Sequence, residues 1–282
     1  MSVDYDRSAV ITGAASGIGR ELSLVYARRG WKIGLVDINM DEAAKTLEMV
    51  EKVGGTGETF KCNVREFEEV QAMADHFLDG WGKVGLLINN AGVAAAGPVG
   101  DMPMEEWRRV IETNFWGVVY GCHTFIPRMK EQGAGHILNI GSIAGIAPIP
   151  EMPSYNTAKA GVISLSETLR IELAPYGIGV TVLCPYFLNT NIFNSTTFTD
   201  DFQEEVAREA MANVQMTVEE AVRRTVAAVD KNKLYIFPQW SARLSNLAKR
   251  ISPSGYIGLF AYLNKIDALK PMLLKTVQKG LL

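Results

Sequence analysis

The sequence contains few cysteines, with only Cys62, Cys122 and Cys184 among its 282 residues. They are far apart, form no C-x-x-C pair, and each lies in or beside an apolar segment. This pattern argues against a disulfide framework and against a zinc site with the usual ligand spacing. We therefore expect buried, reduced thiols and no metal centre.

An excess of positive charge and a long apolar run are also missing. The net charge of −3 argues against a general nucleic-acid-binding protein. The N-terminal stretch MSVDYDRSAVITG has acidic residues where a signal peptide needs basic ones. The apolar stretch at 255–263 is about half as long as the roughly 20 residues that a membrane-spanning helix needs. We expect a cytoplasmic protein.

What the chain does have is abundant apolar sequence, 48% of its residues, in a regular arrangement. Longer segments of helical periodicity alternate with seven short apolar runs, which read AVIT, KIGLVD, TGETFKCNV, VGLLINN, HILNIGS, IGVTVLC and LYIF. Such alternation predicts an α/β fold with a doubly wound parallel sheet of the Rossmann type. We predict a single domain over 1–238 with an extended helical C-terminal tail over 239–282.

A glycine-rich turn follows the first apolar run. Residues 12–19 read TGAASGIG and lead directly into a predicted helix. Glycines let the backbone approach a pyrophosphate, whose charge is favoured by the free N–H groups at a helix N-terminus. The G-x-x-x-G-x-G spacing of Gly13, Gly17 and Gly19 differs from the more familiar G-x-G-x-x-G, but its position between strand and helix predicts nucleotide binding.

The second strand ends at Asp37, eighteen residues after Gly19. An acid at about this offset can accept hydrogen bonds from the adenosine ribose hydroxyls, and it repels a 2′-phosphate. Ile38 and Asn39 supply no positive charge that would offset this repulsion. The pattern favours NAD over NADP, and the alternative is a solvated acid at a strand end.

The stretch at 138–160 carries the chemistry that we predict for this chain. Tyr155 and Lys159 share one face of a predicted helix, and Ser142 lies thirteen residues before the tyrosine. An ammonium about 4 Å from a phenolate contributes about 4 kcal/mol at an effective dielectric of about 20, which would lower the tyrosine pKa by up to roughly three units. The Ser142 hydroxyl could bind the same substrate oxygen. Alone, such a pair is more typical of an ordinary helix surface.

With these motifs in order, the chain resembles the short-chain dehydrogenase/reductase family over residues 7–190. Further matches are the NNAG sequence at 89–92 and Asn114 in a predicted long helix at 103–131. The resemblance implies an NAD-dependent oxidoreductase with Tyr155 as general acid/base, Ser142 polarising the oxygen, and Lys159 lowering the tyrosine pKa and holding the nicotinamide ribose. Asn114 would position a water in a relay to Lys159, although it could instead cap or kink its helix.

The family pattern also predicts the contacts to the dinucleotide and implies a homo-oligomer, a dimer or a tetramer. Residues 63–64 would cover the adenine, and residues 185–190 would close over the nicotinamide. The predicted cofactor-binding residues are Gly13, Ser16, Gly17, Ile18, Gly19, Asp37, Asn63, Val64, Asn90, Ala91, Gly92, Tyr155, Lys159, Pro185, Leu188 and Thr190.

Two residues depart from the family pattern. Asn63 replaces the usual aspartate, and its amide oxygen can still bind the adenine amino group. Tyr186 replaces the glycine that usually follows the proline. A bulky side chain disfavours a positive φ there and could project into the pocket.

Two segments should face the substrate, namely 147–153 and a lid at about 186–215. The first is stiff and largely apolar, and the second is rich in aromatic and small polar residues. They favour a bulky, apolar secondary alcohol or ketone, such as a steroid, terpenoid or lipid derivative, unless these side chains only pack on each other. The alternatives are a reductase of 3-oxoacyl thioesters and a non-catalytic dinucleotide-binding regulatory protein.

The tail at 239–282 has seven basic residues and one acidic residue, so the remainder of the chain carries a net charge of −9. Apolar residues recur with helical spacing at Ile257, Phe260, Leu263, Ile266 and Leu269. This pattern allows an amphipathic helix on an anionic membrane surface. We favour the alternative, in which the stripe packs on its own domain or on a partner subunit.

Overall fold

The computed structural model describes residues 6–190, 192, 196–214 and 216–266. In chain order the strands are β1 Ser8–Thr12, β2 Lys32–Asp37, β3 Thr56–Lys61, β4 Leu86–Asn89, β5 Ala95–Ala96, β6 Gly135–Ile140, β7 Ile178–Leu183, β8 Thr197–Phe198 and β9 Tyr235–Ile236. β5 and β8 pair with each other, and the remaining seven form one sheet in which every pairing is parallel. Each apolar run of the sequence has become one strand of this sheet, as predicted.

The strand order is β3-β2-β1-β4-β6-β7-β9. β1, β4, β6 and β7 are buried along their whole length, which is expected for parallel strands with both faces covered. The chain leaves the β3 edge and returns to place β4 beside β1, so the winding direction reverses between β1 and β4. Ligands of open α/β sheets bind in the crevice at the carboxyl ends of the strands on either side of such a reversal.

Helices cover both faces of the sheet. They are α1 Gly17–Arg28, α2 Met40–Lys52, α3 Phe67–Trp81, α4 Met104–Ile111, α5 Gly117–Gln132, α6 Pro153–Glu172, α7 Asp201–Ala212, α8 Val218–Asp230, α9 Trp240–Ile251 and α10 Pro253–Leu263. α3, α5 and α6 contribute Phe77, Phe125 and Val162 to one core, whereas α1 and α8 contribute Leu22 and Val222 to the other. This arrangement confirms the doubly wound fold.

The long helix predicted at 103–131 is interrupted. α4 and α5 are joined by a π-helical turn, Glu112–Trp116, which contains Asn114. A π turn is uncommon and is found most often at functional positions.

The three cysteines are free and buried, as predicted. Burial raises the pKa of each of Cys62, Cys122 and Cys184 to about 12. Since the thiolate is the reactive form, all three are inert core thiols at neutral pH.

The tail is helical over α9 and α10, but the predicted stripe is not buried in the single chain. Ile257, Phe260 and Leu263 are 42%, 43% and 38% exposed, and Leu269 lies outside the described residues. The domain is covered instead by α9, whose Ala242 is fully buried. Helical spacing predicts a common face but does not say what covers it. Within the described ranges, no helix is both long and apolar enough to cross a membrane.

His136 is a fully buried histidine on β6. Its Nε2 lies 2.9 Å from Thr181 Oγ1, and a Cβ added to Gly179 would lie 2.3 Å from its Nδ1. Desolvation, assisted by the Arg170 charge, lowers the pKa of His136 from 6.5 to about 3. The folded chain therefore holds this imidazole neutral over a range in which the unfolded chain protonates it.

We predict that His136 makes the fold acid-sensitive. As the pH falls from 6.5 towards 3, the unfolded state binds a proton that the folded state does not, so the unfolding free energy falls by about 1.4 kcal/mol per pH unit. Between about pH 7 and pH 4.5 the loss from this residue is about 2 to 3 kcal/mol. Urea unfolding of His136→Gln should show a correspondingly smaller pH dependence. The exposed His123→Gln is the matched control, and an unchanged pH dependence in His136→Gln would contradict the assignment.

Candidate active site

The glycine-rich turn after β1 has the geometry of a phosphate loop. Gly13 and Gly17 have φ values of +66° and +53°, which residues with a side chain rarely adopt. A Cβ on Gly13 would also lie 2.8 Å from Ala91 Cα. Both glycines line the cavity at the carboxyl end of the sheet. The backbone here can therefore approach a ligand closely.

Side chains from two strands hold this turn in place. Thr12 Oγ1 accepts hydrogen bonds from Asn90 N at 3.0 Å and Ala91 N at 3.1 Å. In return, Asn90 Nδ2 donates to Thr12 O at 2.8 Å and to Gly13 O at 2.9 Å. The two motifs at the β1 and β4 ends are thus one hydrogen-bonded unit.

The N-terminus of α1 faces the same cavity. Ser16 is its N-cap residue, but its side chain makes no capping hydrogen bond, and the first turn has no acidic residue. The helix N-terminus is thus suited to an anion. Gly19 does not line the cavity; a Cβ there would lie 2.2 Å from Gly13 O, so this glycine lets the helix pack against the turn.

Asp37 lies at the end of β2 beside the glycine turn. Its Oδ2 accepts from Ala15 N at 3.0 Å and its Oδ1 from Asn39 N at 2.9 Å. These bonds fix the carboxylate at the cavity wall, and each oxygen retains further lone pairs for a ligand. The neighbouring Ile38 is 64% exposed.

One cavity of about 610 Å³ joins the predicted cofactor and catalytic positions. It runs from the glycine turn to the Tyr155 end of the site. Of the predicted residues, those that line it are Gly13, Ser16, Gly17, Ile18, Asp37, Asn63, Val64, Asn90, Ala91, Gly92, Ser142, Tyr155, Lys159, Pro185, Leu188 and Thr190. Gly19 and Asn114 are the two predicted residues outside this lining.

Ser142, Tyr155 and Lys159 meet at this cavity. Ser142 caps a short 3-10 turn, Ile143–Gly145, and its Oγ accepts from Ala144 N at 3.1 Å, which leaves its own hydrogen free to donate. A hydrogen bond from Ser142 favours the ionised form of Tyr155. Lys159 Nζ donates to Ile140 O at 2.8 Å and lies 5.6 Å from the Tyr155 ring centroid.

The pKa of Tyr155 is opposite in direction to the prediction. Burial raises it from 10.0 to about 12, although the Ser142 hydrogen bond acts to lower it. Burial also lowers the pKa of Lys159 from 10.5 to about 8. Our estimate from the sequence counted the attraction between the two charges but not their desolvation, which is the larger effect here. The lysine ammonium is also held by the Ile140 carbonyl.

Asn114 is fully buried in the π turn. Its Oδ1 accepts from Val93 N and its Nδ2 donates to Val93 O, both at 2.8 Å. A Cβ on Gly92 would lie 3.2 Å from Asn114 Oδ1 and 3.7 Å from Lys159 Nζ, so both side chains border the same spot beside that glycine. Asn114 therefore pins the loop after β4, in addition to lying near Lys159.

The model of the short chain dehydrogenases matches residues 7–201, more than half of the chain. The chain belongs to the short-chain dehydrogenase family. The match includes the glycine turn, the NNAG loop, Asn114, Ser142 and the Tyr155–Lys159 pair. It confirms the family that the motifs predicted, and with it an oxidoreductase of this type.

Three relatives of this short-chain dehydrogenase indicate how far the similarity extends. It is 33% identical to the putative oxidoreductase SadH of Mycobacterium tuberculosis over 265 residues, 93% of this chain and 96% of that protein. It is 38% identical to the probable oxidoreductase EphD of the same species over 194 residues, 68% of this chain but only 33% of EphD. The cyclohexanol dehydrogenase of Acinetobacter sp. is 33% identical over 186 residues, 66% of this chain and 74% of that protein.

Two solved structures share the fold. A short-chain dehydrogenase from Burkholderia phymatum in complex with NAD has a TM-score of 0.83 at 30% identity, covering 89% of this chain and 94% of that one. A short-chain dehydrogenase from Sphingobium yanoikuyae in complex with NADPH has a TM-score of 0.74 at 28% identity, covering 90% of this chain and 95% of that one.

The segment after β7 is held by a residue that the sequence did not reveal. Gln239, the N-cap residue of α9, accepts from Tyr186 N at 3.1 Å and donates to Phe187 O at 3.0 Å. Tyr186 does not adopt a positive φ, so its bulk brings no backbone strain, and its ring lines the cavity. Gln239 is separated from its partners by more than 50 residues, and the sequence carries no signal for such a contact.

The far end of the cavity is largely apolar. Ile149, Met152 and Ile192 line it, and all three pack in a cluster with Phe198 of β8. β8 pairs with β5, which joins this part of the predicted lid at 186–215 to the segment that follows the NNAG loop. Within that lid, residues 191, 193–195 and 215 lie outside the described residues.

Arg109, another lining residue that the sequence did not reveal, is engaged by Glu106 and by Ala94 O.

We predict that Gln239 orders the backbone at 186–187. In Gln239→Ala, hydrogen exchange of the Tyr186 amide should accelerate by roughly 2- to 10-fold, because a hydrogen bond of this kind contributes about 0.5–1.5 kcal/mol. Gln239→Glu is the matched control, since its carboxylate can still accept from Tyr186 N but cannot donate to Phe187 O. Mass spectrometry of a peptide spanning 185–190 measures this exchange. Equal exchange in wild type and Gln239→Ala would show that packing alone holds the segment.

Proposed function

We propose that this short-chain dehydrogenase interconverts a secondary alcohol and a ketone with NAD, and that its substrate is apolar and fairly bulky. The observation that carries the proposal is the single cavity that joins the glycine turn and Asp37 at one end to Ser142, Tyr155 and Lys159 at the other. A proton donor, a hydrogen-bond donor and an anion-binding backbone would then act together on a cofactor and a substrate bound in the same cavity.

The residues present fit a dinucleotide. The left-handed glycines and the open α1 N-terminus suit a pyrophosphate, Asp37 suits a ribose, and Asn63 and Val64 lie beside them for the adenine. The segment at 185–190 is proposed to cover the nicotinamide end. When bound, the nicotinamide supplies hydride transfer, for which the side chains of this chain have no substitute.

The preference for NAD rests on the charges around Asp37. The carboxylate repels a 2′-phosphate, and the two nearby arginines are engaged by other acids. Arg20 pairs with Glu42 at 2.8 Å, and Arg65, which lines the cavity, pairs with Glu112. Related structures hold either NAD or NADPH, so they do not indicate which cofactor this chain prefers. The proposed preference for NAD therefore rests on the charges around Asp37.

Tyr155 is the proposed general acid and base. With a pKa of about 12 it keeps its proton at neutral pH, so it is ready to protonate a carbonyl oxygen. Ser142 would turn its hydroxyl hydrogen from Tyr155 to the same oxygen and polarise it. In the oxidative direction the phenol must first lose its proton. Lys159, with a pKa of about 8, is the base on the path we propose, and Asn114 would position the water that carries the proton between Lys159 and solvent.

The apolar lining of the far end supports an apolar substrate. Ile143, Ile149, Met152 and Ile192 offer dispersion contacts and no charge. The similarity to a cyclohexanol dehydrogenase agrees with a cyclic or bulky secondary alcohol. Homo-oligomerisation and a cytoplasmic location stay predictions that sedimentation and fractionation would test.

The activity itself can be tested by screening apolar secondary alcohols with NAD and following the absorbance of the reduced nicotinamide. We expect turnover of cyclic or long-chain substrates. Activity confined to 3-oxoacyl thioesters would replace the proposed substrate class. Tight NAD binding with no turnover of any alcohol, ketone or thioester would favour a regulatory protein.

We predict that Tyr155→Phe loses turnover by about 10²- to 10⁴-fold, the range typical for removal of a general acid/base. The ring is kept, so the affinity for NAD, measured by titration calorimetry, should change little. Tyr176→Phe, an exposed position away from the cavity, is the matched control. Turnover of Tyr155→Phe close to the wild-type value would rule out the proposed acid.

We predict that NAD is preferred over NADP by roughly five- to a thousandfold in kcat/KM. A carboxylate and a phosphate charge about 4 Å apart repel by about 1 kcal/mol in water and about 4 kcal/mol at an effective dielectric of 20. Asp37→Ala should remove most of this preference, whereas Asp37→Glu should retain part of it. Equal kcat/KM values for the two cofactors, or an Asp37→Ala variant that keeps the preference, would overturn the assignment.

A further inference from the structure

α9 exposes an apolar stripe on the face that points away from the domain. Trp240, Leu244, Leu247 and Ile251 recur at intervals of four, three and four residues and are 66%, 55%, 55% and 75% exposed. This spacing places them along one side of the helix. The opposite side carries the buried Ala242, which packs against Ile143 and Ala147 of the main domain. The stripe is therefore not the face that the domain covers.

α10 extends this apolar surface. It contains no charged residue, packs against α9, and places Tyr256 in the cluster that includes Tyr186. Its remaining large apolar side chains are exposed, namely Ile257, Leu259, Phe260, Tyr262 and Leu263. Together with the α9 stripe they form what we call the tail surface. Exposed apolar residues are normally scattered singly, so nine of them within 24 residues indicate an interaction site.

Basic residues surround the tail surface. Arg243, Arg250 and Lys265 are exposed, and the sequence from 239 to 266 contains no acidic residue. Beyond residue 266 the sequence adds Lys270, Lys275 and Lys279 against one acid, Asp267. An isologous contact between two copies of this surface would bring like charges together. A partner that is both anionic and apolar would instead neutralise the basic residues of the tail surface and cover its apolar stripe.

We propose that the tail surface binds peripherally to an anionic lipid bilayer. A helix such as α9, twelve residues long with an apolar face and basic residues beside it, lies in the plane of the interface. Trp240 and Tyr262 have the amphipathic rings that favour this depth. The lipid phosphate supplies the negative charge, and the acyl chains cover the stripe.

The position of α9 links this surface to the cavity. Lys249 Nζ donates to Ile146 O, and Ala242 packs on Ile143, which lines the cavity wall beside Ser142. A bilayer on the tail surface would thus adjoin the end of the site proposed for the apolar substrate, where such molecules are concentrated. This consequence rests on the proposed function, whereas the binding itself does not.

The test is co-sedimentation of the full chain with phosphatidylcholine vesicles that either contain or lack phosphatidylglycerol. We expect binding only to the anionic vesicles at low salt, with release at high salt. The triple variant R243Q/R250Q/K265Q should bind about 100-fold more weakly, since each cation near an anionic surface contributes about a fivefold factor. The triple variant K52Q/K231Q/K233Q makes the same change in net charge at exposed positions away from the tail and should bind as the wild type does.

The apolar contribution is tested by L244S/L247S, which should also lose binding, with Ile171→Ser as the control at an exposed position on α6. Equal binding to both vesicle types, or wild-type binding by the tail variants, would overturn the proposal. So would an L244S/L247S variant that binds vesicles normally but has a smaller mass in sedimentation velocity, because a second copy would then cover the surface. An inactive protein that still binds anionic vesicles would contradict only the proposed function.

Discussion

The site depends on the contact between the ends of β1 and β4. The Asn90 side chain donates hydrogen bonds to two carbonyls of the glycine turn, and the Thr12 hydroxyl accepts hydrogen bonds from two backbone amides of the NNAG loop. These bonds can form only because Gly13 has no Cβ to collide with Ala91. Held in this way, the glycine turn directs the N-terminus of α1 towards the cavity. The turn also fixes the Asp37 carboxylate, because Ala15 N donates a hydrogen bond to it. The dinucleotide end is therefore preorganised by backbone groups rather than by flexible side chains.

Burial governs the other end of the site. Burial favours the neutral form of both Tyr155 and Lys159, so the pKa of Tyr155 rises to about 12 and the pKa of Lys159 falls to about 8. Mutual attraction alone would have shifted each pKa in the opposite direction. The site thus combines a neutral phenol with a readily neutralised amine. Any group that brings compensating charge or hydrogen bonds into the cavity would favour ionisation of the pair, which couples ligand binding to proton movement.

The sequence predicted most of the fold because its signals are local. Apolar runs and helical periodicity identified all seven strands of the large sheet, and the glycine spacing located the turn between β1 and α1. It also identified many of the residues that meet at the cavity, since their motifs are short. It did not predict the π turn around Asn114, whose hydrogen-bonding shift has no residue signature in this segment. Nor could it predict Gln239, because its partners are backbone atoms more than 50 residues away.

The tail shows where periodicity stops being informative. Helical spacing predicted an apolar stripe in α10, but a stripe reports only that several side chains share a face, and three of these are exposed in the single chain. The stripe on α9 is equally periodic and even more exposed, because the domain is contacted through the small Ala242 on the other side. A small residue permits close packing of the helix backbone on the domain, so the large side chains must point outward. Net charge then distinguishes among the possible partners, since the basic tail and the acidic remainder of the chain favour different surfaces.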